Sequence, residues 1–165
     1  MTTRCSILFA TVEKPTARNR KKEVTKVQIY RYSDGYPHTV IPDLIQFYKS
    51  LQAKKSYVLQ TYHDPIFEAG QFIHDTKSIY DYEIIEKPGS VNGSESYLWI
   101  VLWDLDKRPH EKYPYIYAAD IPFPLKENYS FKTAKWHEYG SLDEAVKHCA
   151  SDILPSKIAN LKNIL

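Results

Sequence analysis

Residues 24–53 most constrain the fold, because a strand there leads through a tight turn directly into an amphipathic helix. Along 24–32, the apolar Val27 and Ile29 alternate with polar and tyrosine side chains, the period-two pattern of a half-buried strand. Asp-Gly and proline follow at 33–37, residues that favour a turn. From 39 to 53, apolar residues recur at every third or fourth position, which predicts a helix lying on the sheet.

Two local features are predicted for this corner. Asp34-Gly35 favours a positive φ at the glycine, and Pro37 prevents the strand from continuing. Thr39 is a good N-cap for the helix at 39–53.

The other elements are predicted from the same periodicities. Further strands are expected at 5–12, 79–87, 96–103 and 113–119, and further helices at 64–75 and 141–151. The first two strands should pair antiparallel across an exposed basic loop at 13–23. The strands at 79–87 and 96–103 should form a hairpin with a mobile tip at 88–95, which contains the turn signal Asn92-Gly93. Because 96–103 is apolar on both faces, it is expected in the centre of the sheet.

These elements predict an α+β fold: a single, mostly antiparallel sheet of about five strands, with helices packed mainly on one face. A chain of 165 residues without repeats or an internal boundary is expected to form a single domain, 1–165. Cys5 and Cys149 stand far apart, which disfavours a disulfide framework and favours a reducing compartment. No apolar run is long enough to cross a membrane, so a soluble cytoplasmic protein is expected.

Three stretches carry a resemblance to a known group of proteins. They are Thr3-Arg4-Cys5-Ser6-Ile7, the turn Tyr-Arg-Tyr-Ser-Asp-Gly-Tyr-Pro at 30–37, and Glu-Ser-Tyr-Leu-Trp-Ile-Val at 95–101. The chain resembles small, functionally uncharacterised proteins of phages, archaeal viruses and their hosts, whose turn reads Tyr-Arg-His-Xaa-Asp-Gly-Tyr-Pro. Tyr32 stands where that group has histidine. The resemblance implies a viral or mobile-element origin and carries no activity with it.

The corner also holds the densest set of groups suited to binding a ligand: Arg31, Tyr32, Asp34, Tyr36 and His38. A helix N-terminus attracts anions, arginine can clamp a carboxylate or phosphate, and tyrosines can stack on a base or grip a peptide. In the structural alternative, Asp34 stabilises the turn, Arg31 pairs with Asp34 or Asp43, and the tyrosines pack. The sequence leaves both interpretations open.

A second candidate site is basic and consists of Arg18, Arg20, Lys21, Lys22 and Lys26. Basic groups near the stacking surfaces of Tyr30–Tyr36 suit single-stranded nucleic acid or a nucleotide. The net charge of only +2 and the absence of a recognisable nucleic-acid-binding motif favour a solvated loop instead.

Histidines and carboxylates lie close in sequence at several places: His38 with Asp34, His63-Asp64, His74-Asp75, and Asp104 and Asp106 with His110. Such pairs keep a metal-assisted hydrolase open as a second alternative function, with His38, Asp34 and Asp104 as its best candidates. No catalytic motif is visible. We therefore predict no catalytic residue, metal ligand or cofactor, and we favour a non-enzymatic protein.

Aromatic residues supply the remaining indication of function. The chain has 14 tyrosines, and Tyr97, Trp99 and Trp103, together with the tyrosines of 113–117, would form an aromatic surface if one face of the sheet were uncovered. A core covered by helices is the alternative. The leading hypothesis is a small, soluble binding protein that acts on a protein partner or on itself as a homodimer, in the host cytoplasm if it is viral.

Overall fold

The structure, a computed structural model, describes residues 3–54, 63–107, 113–122, 125 and 128–141. In chain order its elements are β1 (Cys5–Val12), β2 (Val24–Arg31), α1 (Pro37–Ala53), α2 (Pro65–Thr76), β3 (Tyr82–Ile85), β4 (Tyr97–Asp104), β5 (Tyr115–Asp120) and β6 (His137–Ser141). The predicted helix at 141–151 lies outside the described residues, except for its first residue, which ends β6.

The six strands form one sheet in the order β3-β2-β1-β4-β5-β6. β1 and β4 are parallel, and every other neighbouring pair is antiparallel, including β1 with β2 across the basic loop. This arrangement confirms the predicted α+β fold with a mostly antiparallel sheet. It has one strand more than about five, because β6 follows Trp136 in a segment without a clean apolar period.

Both helices pack on the same face of this sheet. Alternate residues of the central strands point to that face, among them Ile7 and Phe9 of β1. They meet the apolar stripe of α1, represented by Leu44 and Leu51, and Phe72 of α2. These side chains belong to one core, and all five are 0% exposed.

An irregular segment, 128–136, covers part of the opposite face. Its Phe131 and Ala134 pack on Leu8, Ile100 and other residues of the central strands in a second core. Both faces of β4 are therefore buried, as its continuous apolar sequence predicts.

The aromatic residues of the central strands lie inside these two cores. Trp99 and Trp103 are 0% and 2% exposed on the helix side of the sheet. Tyr117 is buried on the opposite side. The covered core is therefore the correct alternative, and the large aromatic surface that motivated self-association is absent from the described residues.

The hairpin predicted for 79–87 and 96–103 is wrong. β3 pairs with β2 and β4 pairs with β1, so two strands lie between β3 and β4. The connection at 88–95 instead crosses the sheet and bonds to buried side chains: the Gly89 amide donates to Gln28 Oε1 over 2.7 Å, and Ser6 donates to Glu95 over 2.9 Å. Glu95 also accepts from the Gly93 amide over 2.8 Å, so the turn signal belongs to a turn within the crossover.

The corner differs from the prediction in two details. The positive φ of 51° belongs to Asp34, a residue type that tolerates this conformation, and Gly35 is needed because its Cα lies against β1. Helix α1 begins earlier than predicted, with Tyr36 as N-cap and Pro37 in the first turn. The Thr39 hydroxyl donates back to the carbonyl of Tyr36 over 2.8 Å and therefore does not cap the helix.

Candidate binding site

The predicted corner residues divide between the interior and the surface, and Arg31 is the interior one. Its side chain is wholly buried on the helix side of the sheet. Arg31 Nη1 donates to Asp43 Oδ2 over 2.8 Å, Nε donates to the Ser33 carbonyl over 2.9 Å, and the guanidinium carbon lies 3.3 Å from the centre of the Tyr80 ring. Nη2 has no hydrogen-bond partner among the described residues. Arg31 thus fastens β2 to α1, which agrees with its structural interpretation.

The other four corner residues lie at the surface. Tyr32 donates to Glu83 Oε2 over 2.7 Å, and Tyr36 stacks on His38 with ring centres 5.2 Å apart. Asp34 and His38 are exposed. The structure therefore does not gather the five predicted residues around one cavity. Arg31 and Tyr32 are consecutive at the end of β2 and point to opposite faces of the sheet, and the other three lie in the turn and at the start of α1.

The basic loop lies at the opposite end of β2 from these tyrosines. β2 runs from Val24 to Arg31, a rise of about 23 Å at about 3.3 Å per residue. Lys22 Nζ pairs with Asp106 Oδ2 over 2.5 Å. Burial lowers the Lys26 pKa, and the nearby charge of Lys132 lowers it further. The fold thus separates the cations from the stacking surfaces that the nucleic-acid hypothesis combines.

Several of the predicted histidines and carboxylates have structural contacts, and His110 lies outside the described residues. Asp64 accepts from the Ile66 amide over 2.9 Å and is the N-cap of α2, as predicted. Asp104 accepts from the Lys107 amide over 3.0 Å. His74 and Asp75 do meet, with Nδ1 and Oδ1 3.2 Å apart. Among residues 3–54, 63–107, 113–122 and 128–141, no three histidine, cysteine or acidic side chains lie close enough to hold a metal ion.

The sequence interpretation missed Glu68, a buried acid on α2. Its Oε2 accepts from the Tyr48 hydroxyl over 2.5 Å and its Oε1 accepts from Trp103 Nε1 over 2.7 Å. Burial raises the pKa of the Glu68 carboxyl well above its ordinary value, although both hydrogen bonds lower it. The spacing of Glu68, Phe72 and Thr76 by four residues was a signal for this position, since it places all three on one helix face.

Glu68→Gln is expected to remove a pH dependence of stability. Because the folded pKa is raised, the folded protein keeps the proton at pH values where the unfolded chain, with a pKa near 4.5, has lost it. The wild-type free energy of unfolding should fall as pH rises from there, by up to about 1.4 kcal/mol per pH unit, until the folded pKa is passed. The glutamine variant should lack this slope in urea unfolding measured from about pH 4 to about pH 8.

The comparison of the two proteins is needed because neighbouring groups also titrate. His63 packs on Trp103 with ring centres 4.4 Å apart, and burial lowers its pKa, which adds a slope of the opposite sign in both proteins. Asp64 raises the Glu68 pKa, and this residue is present in both proteins. Parallel pH profiles for wild type and variant would contradict the assignment to Glu68.

A groove of about 560 Å³ lies between α1 and the end of α2. It is lined by Asp43, Gln46, Phe47, Ser50, Lys54, His74, Asp75, Thr76 and Ile79. Its volume lies in the range of binding pockets in proteins, and its lining combines apolar surface with hydrogen-bonding groups. At its floor, Asp43 holds Arg31, and burial raises the Asp43 pKa against the opposing effect of the guanidinium.

No known protein family, curated protein or solved structure matches the chain. The site must therefore be interpreted from its own geometry. In the part of the chain that the structure describes, no helix has the length and apolar composition needed to cross a membrane.

The groove continues into the outer edge of the sheet at β3. Thr76, which lines the groove, lies 2.8 Å from the Tyr82 hydroxyl at the start of β3, measured between the two oxygens. β3 is the last strand on its side of the sheet among the described residues. Two isoleucines flank this junction with most of their side chains exposed, Ile79 at 68% and Ile84 at 65%. Groove and edge together form the candidate binding surface.

Proposed function

We propose that this protein is a non-enzymatic binding protein whose partner is another protein, bound as an extended segment in the groove between α1 and α2. The observation that carries the proposal is the groove itself, with exposed Ile79 at its margin. A linear segment suits this shape better than a folded surface, because the groove lies between two helices and leads to a strand edge.

The chemistry of the lining supports a peptide as the ligand. Phe47 and Ile79 offer apolar contact, while Gln46 and Ser50 offer amide and hydroxyl groups that match a peptide backbone. The His74 and Asp75 pair adds an ionisable contact at the end of α2. Apolar contact with a few placed polar groups is the usual composition of a selective binding site.

Filling the groove is expected to abolish binding. Ser50 is exposed on α1 and lines the groove, so Ser50→Trp should block it without disturbing the core. Lys49→Trp places the same side chain on the same helix, outside the groove lining, and is the matched control. Peptides are first selected for binding to the wild type from a displayed library of linear sequences. In calorimetry, their affinity for the Ser50→Trp variant should be at least about tenfold lower, whereas their affinity for the Lys49→Trp variant should equal that for the wild type.

Two results would contradict the proposal. The first is a selection that returns no linear peptide with measurable affinity, and the second is an equal loss of binding in both tryptophan variants. The alternative occupant of the groove is a second copy of the chain. Light scattering tests it: a wild-type dimer that the Ser50→Trp variant no longer forms would show that a second copy fills the groove.

A further inference from the structure

The outer edge of β3 has backbone groups that no described strand uses. Tyr32 N donates to the Asp81 carbonyl over 3.1 Å, so Tyr32 and Asp81 form a hydrogen-bonded pair. Bonding alternates along antiparallel strands, which makes Tyr30 with Glu83 the next bonded pair. The amide and carbonyl groups of Tyr82 and Ile84 therefore point away from β2, to the outside of the sheet.

The two faces of this edge carry different side chains, one apolar and the other acidic. Ile84 lies on the helix side, opposite the buried Ile29, and is 65% exposed. Glu83 lies on the other side, where it accepts from Tyr32. The segment 81–86 contains three acids, Asp81, Glu83 and Glu86, and no basic residue, although the whole chain has a net charge of +2.

This charge distribution decides between two occupants of the edge. A second copy paired antiparallel on β3, with Tyr82 of each copy opposite Ile84 of the other, would place the two Glu83 side chains directly opposite one another. Like charges across strands are destabilising. An extended basic segment would place cations on the Glu83 face and apolar side chains beside Ile84. Only the basic segment complements both the charge and the exposed apolar surface.

We infer that the partner segment binds by adding a strand to β3, with basic and apolar residues alternating along it. Its backbone would bond to Tyr82 and Ile84, its apolar residues would cover Ile84, and its basic residues would face Glu83. The same segment would reach Ile79 and the groove beyond the start of β3. The start of β3 is close to the groove because Tyr82 pairs with Arg31, and Arg31 in turn binds Asp43, which lines the groove. This inference rests on the proposed function and names the partner and its mode of binding.

Ile84→Pro tests the backbone contact. Because the Ile84 amide points outward, proline should leave the bonds between β2 and β3 in place while removing the outer donor and blocking the edge. Ile84→Thr keeps the amide and the branched side chain and is the matched control. A synthetic peptide of alternating lysine and isoleucine should lose at least about tenfold more affinity with Ile84→Pro than with Ile84→Thr.

Peptide variants give a test that does not depend on how well Ile84→Pro folds. The lysine and isoleucine peptide should bind at least about tenfold tighter than its glutamate and isoleucine counterpart, and this advantage should shrink with added salt. Methylating the backbone nitrogens of the isoleucines in one peptide, and of the lysines in another, should abolish binding in only one of the two, because a strand bonds to its neighbour through alternate residues.

The outcomes separate this inference from the proposed function. Library peptides that fail to bind the Ser50→Trp variant but bind the Ile84→Pro and Ile84→Thr variants equally well would contradict strand addition. They would leave the groove proposal standing. Equal affinity for the two methylated peptides would overturn it as well. A complete absence of peptide binding would overturn the proposed function.

Discussion

Replacing Arg31 with methionine is expected to lower the free energy of unfolding by about 3–5 kcal/mol. The Arg31 side chain is wholly buried, so methionine restores much of its volume but none of its charge or its hydrogen bonds. Asp43, half-buried, would lose its counter-charge, and the Ser33 carbonyl would lose its donor. Burial raises the Asp43 pKa even though the guanidinium opposes this, so the carboxylate should become still less favourable without Arg31.

The Lys22 and Asp106 ion pair is the matched control. Arg31 of β2 pairs with Asp43 of α1, and Lys22, before β2, pairs with Asp106, after β4. The Lys22 side chain is 48% exposed, whereas that of Arg31 is fully buried. Lys22→Met should therefore destabilise the protein far less than Arg31→Met, because solvent screens an exposed ion pair. Urea unfolding of both variants measures the difference. A loss below about 1 kcal/mol for Arg31→Met would show that Arg31 does not hold the corner together.

Asp43→Ala completes a double-mutant cycle with Arg31→Met. Part of the loss in the single variant comes from leaving the other charge unpaired, so the double variant should lose less than the sum of the two single variants. Additive losses would mean that the Arg31 and Asp43 contact contributes nothing to stability, and that the other contacts of Arg31, with the Ser33 carbonyl and the Tyr80 ring, account for its effect.

Gly35→Ala is expected to destabilise the protein by about 1–3 kcal/mol, the usual cost of overpacking a tight site. A Cβ at this position would lie 2.6 Å from the Cβ of Cys5 and 3.0 Å from the backbone carbonyl of Arg4. Those atoms belong to the first residue of β1 and to the residue before it, and the carbonyl of Thr3, also just before β1, accepts from the Gly35 amide over 2.9 Å. The turn would have to move away from the sheet, and the 3.2 Å bond from Trp99 Nε1 to the Gly35 carbonyl would lengthen.

Gly70→Ala separates this steric effect from the general effect of glycine on the unfolded chain. Gly70 lies inside α2, and a Cβ there would have no heavy atom within 4 Å. Alanine at Gly70 should raise stability by about 0.5–1 kcal/mol, because it favours the helix and restricts the unfolded state. Thermal unfolding of the two variants should shift in opposite directions. A stabilised Gly35→Ala would show that β1 does not approach the turn as closely as described.

Much of the fold follows from local patterns in the sequence. The alternation at 24–32 and the apolar stripe at 39–53 predict β2 and α1 to within a few residues. Asp64 and Pro65 predict the start of α2, because an N-cap followed by proline is a local signal. The run at 96–103 predicts the central position of β4, since only a strand covered on both faces is apolar throughout.

The pairing of strands could not be predicted in the same way. Backbone hydrogen bonds are alike for every partner strand, so a turn signal such as Asn92-Gly93 is compatible with a hairpin and with a crossover. The structure selects the crossover, in which the Gln28 side chain bonds to the backbone of residues 89 and 90. Gln28 is a polar residue on a strand face, and its burial depends on a segment about 60 residues away in sequence.

The candidate site shows the same division. The sequence alone determined that the corner is rich in binding groups, that α1 is amphipathic and that the chain has few catalytic signals. Only the tertiary structure decided that Arg31 lies inside, that Glu68 is a buried acid, and that α1, α2 and β3 meet at one groove and edge. The reason is physical: periodicity reports which face of an element avoids water, whereas a binding surface depends on which elements become neighbours, and that is set by packing between distant segments.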